Sequence, residues 1–252
     1  NRVHDGAQAG ILIESGSTGM FMENEVMLNA HSGVEVRDQS FPTFAKNCVR
    51  GNGHAGFRFY NRAGGLIDSN EIQGNGMSGV YVMLNGCPKV THCTIHENRG
   101  CGILVSNGGK GVFSHNQIHS NEGEGLRVEG RSEPEVLHNT IFSGRRHGAL
   151  FRDGAAGKFH GNDVLRNCGA GVKVKGEARP EIIGNRVHHG YAAGLLIAAC
   201  ARATVAHNSV FCNEGQDVDV LVAEDAAHVY SNGDRTVEDS DGFLSVQDVG
   251  AP

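Results

Sequence analysis

Histidines have the most suggestive spacing in this sequence. His92, His115 and His138 follow one another at intervals of 23 residues, and His96 and His119 are separated by the same interval. Imidazole can bind metals and exchange protons near neutral pH. If this interval places the rings on neighbouring strands about 4.8 Å apart, they are too far apart to share a tetrahedral zinc ion with bonds of about 2.1 Å. We therefore predict no metal and no cofactor, with a surface metal site at the histidine column as the open alternative.

Cationic and aromatic residues fill a second set of positions at the same interval. Tyrosine, arginine and methionine are typical of the anchors in protein interfaces. A basic stripe further along the chain would suit an acidic or phosphorylated segment of a partner. The alternative is a solvated strand face of mixed charge. The predicted partner-binding residues are Arg58, Tyr60, Tyr81, Met83, Arg127, Arg152, Lys173 and Lys175.

Carboxylates give little sign of catalysis. A glycosidase needs two carboxylates across the scissile bond, and a calcium-dependent lyase needs a cluster of them. The closest case is Glu14 with Glu35, and the neighbouring Arg37 suggests a simple ion pair. We therefore predict a protein that is not an enzyme. The acidic residues near the C-terminus lack the spacing of an EF-hand.

These side chains belong to a 23-residue repeat without insertions. One asparagine column keeps this interval except at Cys93, and a β-branched residue follows two positions later in every repeat. A glycine stands nine residues after each asparagine except at Asp217. The asparagines are Asn1, Asn24, Asn47, Asn70, Asn116, Asn139, Asn162, Asn185 and Asn208. Such regularity is typical of a solenoid in which equivalent residues stack in columns.

The elements that position these columns are short strands. Apolar residues alternate after the glycine, as in Val34/Val36 and Phe57/Phe59, and no segment has helical periodicity. We predict an all-β, right-handed parallel β-helix of about ten 23-residue rungs with three short strands each. The asparagines should form a hydrogen-bonded ladder, and the glycine before the alternating strand should take a positive φ. A further slot alternates Gly and Pro, as at Gly65 and Pro88, which suggests duplication of 46-residue pairs.

Composition narrows the function classes. Residues 1–213 carry 21 basic and 18 acidic residues, whereas residues 214–252 carry one and ten, so nucleic-acid binding is not indicated. The longest apolar run is too short to span a membrane. The seven cysteines include no CxxC pair, which favours a reducing, cytoplasmic location.

The repeat defines the predicted domain organisation. Residues 1–231 form the β-helix domain, and residues 232–252 form an acidic C-terminal cap or tail. Because Asn1 lies in the middle of a rung, we expect further rungs before it or another chain covering that end.

The paired repeats resemble a known family. Segments 111–118 (GVFSHNQI) and 134–141 (PEVLHNTI) look like CASH repeats, found in carbohydrate-binding proteins and sugar hydrolases. They are most similar to those of F-box-only proteins, the substrate receptors of cullin-RING ubiquitin ligases. The resemblance covers about residues 1–213 and implies a β-helix that selects a protein substrate. No F-box is recognisable in this segment.

The sequence therefore favours a non-catalytic protein-interaction module, like the substrate-recognition region of a ubiquitin-ligase receptor. One alternative is a structural rod in a cytoskeletal or flagellar assembly. The other is a carbohydrate-binding or polysaccharide-cleaving β-helix.

Overall fold

The computed structural model describes residues 1–220 and two short strands, Thr236–Glu238 and Leu244–Val246, which pair antiparallel. Three parallel sheets run through residues 1–220, with ten, ten and nine strands. The described residues contain no helix, and hence none with the length and hydropathy needed to cross a bilayer. The predicted parallel β-helix is confirmed. The predicted domain boundary and acidic cap fall outside the described residues, apart from the antiparallel pair.

Each rung contributes one strand to each sheet, in the order A, B, C. The strands of sheet A are Arg2–His4, Glu25–Met27, Cys48–Arg50, Glu71–Gln73, Thr94–His96, Gln117–His119, Thr140–Phe142, Asp163–Leu165, Arg186–His188 and Ser209–Phe211. Those of sheet B are Ile11–Ile13, Val34–Val36, Phe57–Phe59, Val80–Val82, Ile103–Val105, Leu126–Val128, Ala149–Phe151, Val172–Val174, Leu195–Ile197 and Val218–Val220. Those of sheet C are Met20–Met22, Thr43–Ala45, Gly64–Asp68, Cys87–Thr91, Val112–Ser114, Glu135–Leu137, Lys158–His160, Glu181–Ile183 and Thr204–Ala206.

The strand register equals the repeat length, so side chains of one type stack. Val80 pairs with both Phe57 and Ile103 on sheet B, and Ile95 pairs with Ile118 on sheet A. These side chains are fully buried and fill the interior. Burial of this stacked apolar interior is the main favourable contribution to folding.

Two asparagine ladders hold the turns, one more than we predicted. In the predicted ladder, the Asn47 side-chain amide and backbone N–H both donate to Asn70 Oδ1, at 2.9 and 2.8 Å. The second ladder lies between sheets A and B, where the Asn75 amide donates to Asn98 Oδ1 at 2.9 Å. Both ladders are buried, so each amide replaces water as the partner of turn backbone groups.

The glycine before each sheet B strand does not have the predicted positive φ. The glycines with positive φ occupy other slots. At Gly102 a Cβ atom would instead lie 2.4 Å from Ile118 Cγ2 and 2.7 Å from the Gly125 carbonyl oxygen. Close approach between rungs, and not a left-handed backbone, therefore requires glycine here.

Packing between successive rungs also explains why glycine and proline alternate in this slot. Gly65 has a φ of 116°, and a Cβ there would lie 2.2 Å from the Pro42 carbonyl oxygen. Gly111 packs against Pro88 in the same way, at 2.5 Å. Pro42, Pro88 and Pro134 thus each face a glycine in the next rung, which leaves room for the proline backbone and ring, whereas Pro180 faces Ala203.

Candidate functional site

The outer surface of sheet B gathers all eight predicted site residues. Two columns of side chains point outward, and we call them together the sheet B face. The first column consists of Leu12, Glu35, Arg58, Tyr81, Leu104, Arg127, Leu150, Lys173 and Leu196. The second consists of Glu14, Arg37, Tyr60, Met83, Ser106, Glu129, Arg152, Lys175 and Ala198.

The first rungs of this face form a hydrogen-bonded network of opposite charges. Arg37 binds Glu14 through its Nε at 2.7 Å and also through a second nitrogen, so it pairs with Glu14 rather than with its neighbour Glu35. Tyr60 donates to Glu35 and accepts from Arg37 at 3.3 Å. Burial and the bond to Glu35 raise the pKa of Tyr60, which keeps its phenol protonated.

Arg58 connects this network to the next rungs. Its guanidinium carbon lies 4.9 Å from the centre of the Tyr60 ring, and one nitrogen lies 3.9 Å from Met83 Sδ. Its Nε is buried and has no hydrogen-bond partner within the described residues. Tyr81 accepts a hydrogen bond from Ser106 at 3.2 Å. The structure thus brings the four residues of the predicted Tyr/Arg patch side by side.

The predicted basic stripe is partly neutralised. Arg127 and Arg152 both bind the Glu129 carboxylate, at 2.8 and 2.7 Å. Lys173 and Lys175 lie on the following strand, and no ion pair is found for either within residues 1–220. The face therefore presents two lysine ammonium groups without an ion-pair partner in this part of the chain, beside two arginines that are both paired with Glu129.

A column missed in the sequence interpretation lies beside the sheet B face. The residue before the glycine that precedes each sheet B strand is small in most rungs. In three successive rungs, however, this residue is Cys101, Glu124 and His147. Cys101 and Glu124 are buried, with the thiol 3.3 Å from the carboxylate. Burial and Glu124 raise the pKa of Cys101 to about 12, so the thiol is not a nucleophile at neutral pH. The interruption of a small-residue column was the signal available in the sequence.

His147 has the properties of a proton acceptor. Burial lowers its pKa, and the positive charges of Lys173, Lys175 and Arg146 lower it further, whereas Glu124 opposes them. The ring is therefore neutral at neutral pH. Its Nδ1 is buried without a hydrogen-bond partner in the described part of the chain. A neutral imidazole beside uncompensated cations is suited to removing a proton from an anionic substrate.

The predicted histidine columns do stack. Ring centres lie 5.4 Å apart for His92 and His115, 5.5 Å for His115 and His138, and 4.9 Å for His96 and His119. No group of three or more His, Cys, Asp or Glu side chains is arranged to hold a metal among the residues described.

Comparison with known proteins gives the same fold. The family described as "right handed beta helix region" matches residues 1–92 and 78–240. The periplasmic alginate epimerase AlgG superposes with a TM-score of 0.70 at 13% identity, covering 87% of this chain and 61% of that one. The Agl-KA catalytic domain gives 0.66 at 12% identity, covering 88% and 56%. Pectate lyase Pel9A gives 0.52 at 13% identity, covering 88% and 71%. No curated protein matches in sequence.

At these identities the structural likeness establishes the fold, and the chain spans less than two thirds of the epimerase and Agl-KA structures. Two predictions are nevertheless wrong. Nothing found links the chain to F-box ubiquitin-ligase receptors, and the similar structures include an alginate epimerase and a pectate lyase, so both the ubiquitin-ligase interpretation and the non-catalytic one yield to the carbohydrate alternative. Matched over most of its length, the chain belongs to the right-handed β-helix family.

Proposed function

We propose that the sheet B face binds an anionic polysaccharide and that His147 removes the proton on the carbon next to a uronate carboxylate. The observation that carries this proposal is the half-buried imidazole of His147, whose pKa is lowered by burial and by the charges of Lys173 and Lys175. Because its Nδ1 is enclosed by protein, the proton passes to Nε2. The named activities of the alginate epimerase and the pectate lyase support the substrate class.

The shape and charge of the face suit a linear anionic chain. Its columns continue through successive rungs about 4.8 Å apart, so a polymer lying along the long axis contacts a new pair of side chains at each rung. Lys173 and Lys175, which have no ion-pair partner within residues 1–220, can bind substrate carboxylates. Tyr60 and Tyr81 add aromatic surface for sugar rings.

The proposed reaction depends on stabilising the negative charge that develops on the substrate carboxylate when the neighbouring carbon loses its proton. A lysine ammonium beside the substrate carboxylate neutralises it and stabilises the enolate formed when the α-carbon loses its proton. The proton passes to the imidazole of His147, and the electron pair passes into the carboxylate. Return of a proton from water on the opposite face gives the epimer. Expulsion of the glycosidic oxygen from the neighbouring carbon, with a proton taken up from water, gives an unsaturated sugar and a free hydroxyl and so breaks the chain.

Hydrolysis by two carboxylates is less well supported on this face. Glu14 is bound to Arg37, and Glu35 to Tyr60. Glu129 accepts from two arginines. A glycosidase needs a carboxyl group that is free to protonate the leaving oxygen, and each of these three carboxylates is already held by a side-chain partner.

The test is to incubate the purified protein with polyuronates and with a neutral glucan of similar length. Unsaturated ends are followed by ultraviolet absorbance, and sugar composition by NMR. We expect change in a polyuronate only, and loss of that change in His147→Gln. The matched control His115→Gln alters an exposed imidazole on another face and should retain activity. Equal activity of wild type and His147→Gln, or activity on the glucan alone, would refute the proposal.

A further inference from the structure

We propose a second site, unrelated to the sheet B face, in which His188 and His189 bind a divalent transition-metal ion of borderline softness such as Zn²⁺. The two Nδ1 atoms lie 2.7 Å apart and face each other. The pair lies at the end of the ninth strand of sheet A, whereas the other histidine stacks join different rungs.

The local backbone brings consecutive side chains together. Side chains alternate between the two faces along a strand. His188 ends the strand Arg186–His188, and His189 follows in a left-handed turn with a φ of 52°. This turn breaks the alternation, so that both imidazoles meet. Phe211 in the next rung stacks on His188 at 4.9 Å and 7° and contacts His189 edge-on at 6.0 Å.

Asp163 fixes the tautomer of the first histidine. Its Oδ1 lies 2.9 Å from His188 Nε2, so it accepts the proton of that nitrogen and leaves a lone pair on Nδ1. His188 is only 7% exposed, which holds the ring in this orientation. A carboxylate behind an imidazole is the usual support for a metal-binding histidine. Asp163 is therefore a positioning residue.

The distance between the donors suits a metal. Two bonds of about 2.0–2.1 Å at angles between about 90° and 109° separate the nitrogens by about 2.9–3.3 Å. The observed 2.7 Å requires an opening of a few tenths of an ångström, which the exposed His189 can provide. Stacks between rungs have ring centres 4.9–5.5 Å apart, and their nitrogens do not face each other across so short a gap.

Binding replaces the proton shared by the two nitrogens. The metal takes both Nδ1 lone pairs, and the proton that lay between them moves through solvent to His189 Nε2, so each ring keeps one N–H and no net proton is released. Because no third His, Cys, Asp or Glu lies at ligand distance within the described residues, water fills the remaining positions. We therefore expect a weak to moderate affinity and exchangeable coordination positions.

The experiment is a Zn²⁺ titration of the full chain by calorimetry at neutral pH. We expect one site in wild type, loss of that site in His189→Ala and in His188→Gln, and about 10–100-fold weaker binding in Asp163→Asn. His115→Ala, which removes one member of a between-rung stack, should bind like wild type. His189 is exposed, so its variant should fold, and circular dichroism checks this.

The proposal is overturned if wild type does not bind Zn²⁺. It is also overturned if folded His189→Ala binds as tightly as wild type, or if His115→Ala loses the same site.

Discussion

Replacing Cys93 with asparagine should stabilise the protein. Cys93 occupies the one interior slot of the first ladder that lacks an amide, and it is buried. Its sulfur accepts from the Asn70 backbone at 3.4 Å and from the Asn70 side chain at 3.9 Å. It also lies 3.5 and 3.3 Å from the carbonyl oxygens of Ile67 and Thr91. Burial raises the pKa of this thiol to about 11, so it remains a weak, neutral partner.

The other rungs show what an amide would do there. In the corresponding contacts, Asn47 Oδ1 accepts from the Asn24 backbone and side chain at 2.9 and 3.0 Å, and the Asn47 amide donates to the carbonyls of Phe21 and Ala45 at 2.9 and 3.1 Å. Four weak sulfur contacts would become four amide hydrogen bonds, and one such bond contributes about 0.5–1.5 kcal/mol net. Since the thiol contacts already contribute part of this free energy, we expect the free energy of unfolding to rise by about 1–3 kcal/mol.

Thermal and denaturant unfolding measure this gain. For a chain of this size it corresponds to an increase in Tm of about 2–10 °C. The control Cys168→Asn makes the same exchange at an exposed turn position and should change Tm little. The reverse change, Asn139→Cys, should lower Tm. If Cys93→Asn is no more stable than wild type while Asn139→Cys is destabilised, an asparagine at position 93 does not make the hydrogen bonds that the other ladder asparagines make, and the prediction is wrong.

Four further predictions concern the packing and the site. Gly102→Ala should cost about 1–3 kcal/mol of unfolding free energy, because its Cβ would lie 2.4 Å from Ile118 Cγ2, and an unchanged denaturation midpoint would contradict this. His147→Ala should lower turnover of a polyuronate by about 10²–10⁴-fold, with unchanged circular dichroism, whereas a normal rate would exclude it as the base. Lys173→Met removes a charge that lowers the pKa of His147, so the acid limb of the activity profile should move to higher pH, and a shift to lower pH would refute the stated cause. The pKa of His147 is lower in the folded protein than in the unfolded chain. The contribution of His147 to stability is therefore complete above about pH 6.5 and is lost as the pH falls through its lowered folded-state pKa. This loss of stability at acidic pH should be smaller in His147→Gln.

The columns of the fold could be predicted because an unbroken 23-residue interval leaves little choice of register. Alternation at Val34 and Val36 placed them inside, where the structure has them. The predicted positive φ of the glycine column was wrong. Glycine is required at Gly102 because Ile118 and Gly125, in the next rung, leave no room for a Cβ atom. A sequence shows which residues stack but not how closely their backbones approach.

The site was predictable in part for the same reason. Register alone brought Arg58, Tyr60 and Tyr81 together on one face. The partner of Arg37 could not be read from its neighbours, because Glu14 in the preceding rung outcompetes Glu35 on the same strand. His147 was missed because its properties depend on burial and on the charges of Lys173, Lys175 and Glu124 in the neighbouring rungs.

The most direct test of the central claim follows the protons of a polyuronate by NMR in D₂O. We measure the signal of the hydrogen on the carbon next to the carboxylate, which disappears whether epimerisation or elimination follows. Wild type should deplete this signal, and His147→Gln should not, although both are folded. Persistence of the signal with wild type on every polyuronate tried, or equal depletion by His147→Gln, would contradict the assignment of proton abstraction to the sheet B face.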